Sequence, residues 1–160
     1  MSRFFTSYWT PDPWEHGAGY PIGHAASNEF AKRGVAVGDS LYIVHQERRE
    51  LFLGGRLTVG RLLTYRDAQE HFGKPDVWPA NDHVLAKAGT EQRLDPSRVV
   101  PREMLPQLTF ARPDGTYTGL RLDADGAANQ QTLRTVRELT PDSARMLDDL
   151  IAMTSPAPFE

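Results

Sequence analysis

Tyr8, Trp9 and Trp14 stand close together near the start of the chain, Trp78 lies in the stretch VWPANDH, and Ser27 and Asn28 open the segment SNEFAKRG. Flat apolar rings beside a few hydrogen-bonding groups are how proteins hold an unstacked base. The ring faces replace its stacking partners and the polar groups read its edge. Asn28 offers two donors and an acceptor to such a ligand, whereas Ser27 also reads as a plain helix cap. His24, in the same region, adds a ring that can donate, accept or titrate. Each tryptophan taken alone is equally a core residue, Trp9 above all, because it ends an apolar strand.

Other chemistries find less support. The chain has no cysteine, which removes disulfides, thiolate catalysis and Cys-based zinc sites together. His16 and His24 fall eight apart in one loop and Asp82 adjoins His83, but no histidine pair has the i, i+4 spacing of a zinc-protease helix, so no metal is expected. There is no G-x-S-x-G elbow and no phosphate loop of the G-x-x-x-x-G-K type, and GGRLTVG sits inside a strand pattern rather than between strand and helix. No cofactor is expected.

The 160 residues fit one domain with a hydrophobic core. No apolar run approaches the roughly 20 residues that span a bilayer, and the N-terminus lacks a basic-then-apolar leader, so a cytoplasmic protein without a membrane partner is expected. Net charge is −3, too acidic for indiscriminate coating of nucleic acid, yet the charge is unevenly spread. Residues 31–66 hold Lys32, Arg33, Arg48, Arg49, Arg56, Arg61 and Arg66 against Asp39, Glu47 and Glu50, a local balance of +4 that leaves −7 for the remainder. Such a patch can serve phosphates or can simply keep strand surfaces soluble.

The elements that must position these residues can be read along the chain. RFFTSYW is a strand ending at Trp9 or Thr10, because the prolines of TPDP lack ladder donors. Residues 11–26, rich in proline and glycine, read as a long loop, and residues 27–34 as a short helix opened by Ser27 or Asn28 and closed by Gly34. A GD turn at Gly38 and Asp39 leads into the strand SLYIVHQ, ERRE turns the chain, and LFLGGRLTVGRLL is too long for a straight strand unless Gly54 and Gly55 make a bulge. TYRDAQEHFG predicts a short helix stopped by Gly73. The stretch 74–90 reads as an irregular connection carrying Trp78 and His83. Strands around a turn at Pro113–Gly115 follow a short helical turn. Thr140 and Pro141 then start a helix with Ala144, Leu147, Leu150 and Ile151 on one face, and the chain closes in a tail over 155–160.

RFFTSYWTPDPWE, then ASNEFAKRGVAVGDSLYIV, then a hairpin returning as LFLGGRLTVGRLL, resembles the EVE-type branch of the PUA-like superfamily, relatives of which include the YTH and ASCH domains. The likeness covers about the first 65 residues; residues 90–135 match no motif of it. It implies an α+β fold over residues 1–154, a small bent β-barrel flanked by short helices, that recognises a modified base in DNA or RNA. Carried onto this chain, Trp14, Ser27 and Asn28 would line the base pocket with Tyr8, Trp9 and His24, and Trp78 would supply the opposing wall. Lys32, Arg33, Arg48, Arg49 and Arg56 would contact phosphates while the pocket reads the base. A binding module with no activity of its own implies a separately encoded effector such as a nuclease.

The rival expectation is an ASCH-like hydrolase acting on a modified nucleoside or RNA, with His24, Glu29 and Lys32 as its catalytic groups. Glu29 and Lys32 are three apart in the expected helix, so they also read as a surface ion pair.

Overall fold

In the computed structural model, described for residues 2–154, the chain forms an α+β fold of three α-helices and one mixed eight-stranded sheet of order β2-β5-β4-β3-β1-β8-β6-β7. Strands β1 (Phe4–Tyr8) and β3 (Ser40–Glu47) pair in parallel at its centre; the remaining pairings are antiparallel. β2 (His24–Ser27) and β7 (Tyr117–Gly119) are the two edges, so the sheet is open and not the closed barrel expected from the resemblance. The tail expected over 155–160 lies outside the described residues.

β3 is the strand most enclosed by its neighbours, and Ser40 through His45 are all buried. Its side chains alternate between two cores, as a pleated strand requires. Tyr42 and Val44 join Leu53, Phe110, Leu139 and Leu147 on the side covered by α3 (Pro141–Thr154), while Leu41 and Ile43 join Phe5, Trp14, Phe30 and Val84 on the other.

β4 (Glu50–Thr64) serves both halves of the sheet, pairing with β3 along its first part and with β5 (Asp82–Ala86) along its second. Ile43 faces Gly55 but Val44 faces Leu53, so Gly54 is the inserted residue of a bulge. One extra residue reverses the inward parity of everything after it. Leu51 and Leu53 accordingly point to the α3 core, whereas Leu57 and Val59, two odd-numbered steps further on, point to the opposite core. The expected Gly54–Gly55 bulge is thus present, and its glycines are obligatory. A Cβ on Gly54 would meet Leu94 at 2.2 Å and Trp14 at 2.7 Å, and Gly55 has φ +154°.

The hairpin between β3 and β4 is a two-residue turn in which Arg48 (φ 52°) and Arg49 (φ 67°) both adopt left-handed backbone, the conformation of a type I′ turn. At the preceding GD turn, Asp39 is buried and its carboxylate accepts from the Arg3 amide (2.9 Å) and the Ala36 amide (2.8 Å), with Gly38 at φ 93°. That side chain fixes where β3 begins beside β1.

Three stretches differ from the sequence expectation. The presumed loop 11–26 contains α1 (Pro11–Gly17), in which Pro11 and Pro13 occupy first-turn positions whose amides have no helical partner, and then β2. The presumed helix 27–34 is a single turn. Ser27 Oγ accepts from the Glu29 amide at 3.0 Å, and Gly34 (φ 74°) closes it, with the Val35 amide reaching the Phe30 carbonyl. The presumed irregular stretch 74–90 contains β5, which β2 and β4 flank.

The other elements follow expectation. α2 (Tyr65–Phe72) is capped by Thr64 Oγ1, which accepts from the Asp67 amide, and stopped by Gly73 at φ 67°. β6 (Thr109–Ala111) and β7 flank the turn at Pro113–Gly115, and β8 (Arg137–Leu139) leads into α3, the Ala144, Leu147, Leu150 and Ile151 face of which is buried. Among the described residues no helix is long and apolar enough to cross a membrane.

Candidate functional site

Parallel strands need a crossover, and the crossover from β1 to β3 carries α1, β2 and the Ser27 turn. Its β2 segment crosses to the far edge and pairs with β5, so the chain spans a depression between the end of β1, α1, β2 and the connection after α2. The depression is a cleft of about 760 Å³, within the roughly 300–1,000 Å³ usual for small-molecule sites. Tyr8, Trp9, His24, Ser27 and Trp78 all border it, joined by Phe72 and Arg134. Trp78 is 46% exposed and Phe72 39%, large apolar surfaces left open at one place. A second depression of about 530 Å³ adjoins it across Trp9, Gly17, His24 and Phe72, with Tyr20 and His71 on its far side.

His24 is the best-defined polar group at the cleft. Its Nε2 lies 2.8 Å from Nδ1 of His83, the ring planes are 7° apart, and Nε2 of His83 lies 3.0 Å from the Ala80 carbonyl. A carbonyl oxygen can only accept, so His83 Nε2 is the donor of that contact, and in the tautomer that serves both contacts His83 Nδ1 accepts from His24 Nε2. The relay leaves His24 Nδ1 as a lone-pair nitrogen with no partner among the described residues. Burial, then the charges of His83, His71 and Lys74, lower the His24 pKa to about 4, so at neutral pH the ring is an uncharged acceptor.

Two nominated pocket residues lie elsewhere. Trp14 is 3% exposed and belongs to the core: its ring stacks on His45 at 4.9 Å, tilts against Phe52 and covers Gly54. His45 Nδ1 in turn donates to the Trp9 carbonyl at 2.7 Å, so Trp14 supports the cleft from beneath without bordering it. Asn28 is exposed, and its Oδ1 accepts from the Asn81 amide at 2.8 Å. It ties the turn after β2 to the segment just beyond Trp78, as does Asp82, which accepts from the Ala31 amide.

The five nominated phosphate contacts do not converge. Lys32 pairs with Glu29 at 3.9 Å. Arg49 is gripped by Asp123 (3.0 Å) and Asp125 (2.7 Å), holding the Asp125 carboxyl down to about 2. Arg56 donates to both Asp148 oxygens and to Ser40 Oγ, and lies over the Tyr42 ring. Arg48 projects from the hairpin tip, and Arg33 borders a second cleft, beside β6, β7 and β8. Of the seven cations in residues 31–66, Arg49 and Arg56 are therefore answered by acids that lie far along the chain, and Lys32 and Arg66 by neighbours three and four residues away.

Of the catalytic nominees, only His24 borders the cleft; Glu29 and Lys32 form their own ion pair. Sequence reading missed Phe72, Arg134 and His83. Phe72 stood next to the predicted Gly73 stop, but the role of His83 depends on the β2–β5 pairing, which no local pattern announces. Among the described residues no group of three or more His, Asp or Glu side chains is placed to hold a metal ion. In comparisons with protein-family models, curated proteins and solved structures, no match to this chain was found.

Proposed function

We propose that this chain is a PUA-like, EVE-type module that binds nucleic acid and recognises a modified base in the cleft bordered by Tyr8, Trp9, His24 and Trp78. One observation carries the reading. Aromatic and polar residues nominated by type from distant parts of the sequence meet at one open, aromatic-lined cleft, five of them on a single depression. A flipped base gains stacking from such walls, each base–aromatic contact adding about 1–3 kcal/mol. His24 Nδ1 supplies an acceptor for an amino or imino group on the base edge, and the Ser27 hydroxyl lies nearby.

The test is titration of the full chain with short single- and double-stranded oligonucleotides carrying methylated or hydroxymethylated cytosine, methylated adenine or no modification, at two salt concentrations. A preference for one modified base that survives the higher salt and disappears in Trp78→Ala is the expected result. Equal affinity for every oligonucleotide, or none, overturns the reading.

A hydrolase acting on a modified nucleoside is the second reading, favoured by the geometry at His24, whose Nε2 contact with His83 fixes the ring at the cleft and leaves Nδ1 without a partner among the described residues, as an oriented base requires. Turnover of N-acylated cytidines by the wild type, abolished in His24→Gln, would decide for it.

A further inference from the structure

Arg33, Arg112, Arg121 and Arg137 border a cleft of about 600 Å³ between the turn after β2, the β6–β7 hairpin and the segment before β8. Four guanidinium groups around one depression is an unusual placement for a chain of net charge −3. None of the four is ion-paired with a carboxylate at 4.0 Å or less among the described residues, in contrast to Arg3, Arg49, Arg56, Arg98 and Arg102. Glu138 is the one acid at the cleft, and Arg3 already holds it at 2.6 Å. Asp114, near Arg112, is engaged with the Thr116 amide and hydroxyl.

Arg137 is fixed in place: its guanidinium lies 3.9 Å from the centre of the Phe110 ring and donates to the Thr132 carbonyl. Burial, followed by the nearby charges of Arg33 and Arg112, lowers its pKa, although a guanidinium stays protonated at any working pH. Like charges brought together in a partly desolvated place raise the energy of the free protein and are relieved by an anion. Thr135 adds a hydroxyl donor at the rim. Planar guanidiniums with hydroxyls match the oxygens of phosphate groups.

We infer that the Arg33–Arg112–Arg121–Arg137 cleft is a binding site for clustered phosphate groups. Resting on the nucleic-acid reading only for the carrier of those phosphates, it takes the backbone that extends from a base held in the aromatic cleft. The segment 132–135 supports this by linking the two clefts along the chain: Arg134 borders the aromatic cleft, and Thr132 and Thr135 border the arginine cleft. The sequence pattern of residues 90–135 gave no sign of it.

The experiment compares wild type, Arg112→Gln/Arg121→Gln and Arg112→Lys/Arg121→Lys for binding to a single-stranded oligonucleotide across salt concentrations and, separately, to inorganic tripolyphosphate. Arg112 and Arg121 are exposed and make no side-chain hydrogen bond among the described residues, so circular dichroism should show all three folded. The glutamine pair is expected to weaken oligonucleotide binding roughly tenfold and to reduce the slope of log affinity against log salt by roughly 1.4–2, while the ratio of modified to unmodified ligand stays constant. The lysine pair should keep most of the slope. Binding of tripolyphosphate but not of oligonucleotide would uphold the phosphate site with a free phosphate compound as its source, and would sink the base-reading proposal instead. Unchanged affinities in the glutamine pair, or no binding of either anion by the wild type, overturn the inference.

Discussion

His24 shows how one residue's chemistry is set by its neighbours. Folding lowers its pKa from 6.5 to about 4, so between those values the unfolded chain binds the proton and the folded one does not. Its contribution to stability is full above pH 6.5 and declines as pH falls toward 4. Urea midpoints measured across this range should fall with pH in the wild type, and His24→Gln should flatten that part of the curve; an identical slope in both would refute the assignment. The tryptophans divide by burial. Trp14→Ala, which empties space beneath His45 and Gly54, should cost about 3–5 kcal/mol. Trp78→Ala should leave the melting temperature nearly unchanged and alter only ligand binding, because its ring is half exposed. Residue type alone could nominate both tryptophans but could not separate them, since a large ring is equally suited to a core and to a binding wall.

At the scale of elements, the informative positions are those where a side chain substitutes for backbone pairing. Asp39 receives two backbone amides from different segments, so Asp39→Ala strands both and should cost about 2–4 kcal/mol in chemical denaturation, with Asp39→Asn costing less. The GD motif thus had a mechanical reason that its residue types already hinted at. The Gly54–Gly55 bulge was legible for a similar reason: an apolar run too long for a straight strand and containing paired glycines has few other solutions. α1 and β5 were not legible. Proline is a strand and helix breaker in most places and a helix starter in one, and only the surrounding chain decides which. A strand of five residues such as β5 carries too weak a pattern to be seen without its partners β2 and β4.

Across the whole molecule, charge is where reading along the chain departs furthest from the folded arrangement. The basic segment 31–66 looked like a phosphate surface, but Asp123, Asp125 and Asp148 fold back onto Arg49 and Arg56. Arg49→Gln should therefore lower the denaturation midpoint slightly and leave the salt slope of oligonucleotide binding where it was; a flattened slope would return the hairpin to the interface. Among the described residues, Arg112, Arg121, Arg134 and Arg137 lack a carboxylate partner, and they come from residues 112–137, where the sequence offered no motif. What the sequence by itself determined is the local content: the caps of α2 and α3, the GD turn, the bulged central hairpin, the absence of thiol chemistry and a set of residues suited to holding a base. These follow from backbone preferences and side-chain chemistry that act over a few residues. The tertiary structure alone decided that the sheet stays open, that Trp14 is core while Trp78 borders a cleft, that His83 orients His24, and which arginines have a carboxylate partner among the described residues. Each of those depends on contacts between segments tens of residues apart, and such contacts are settled by packing and charge pairing in the folded chain.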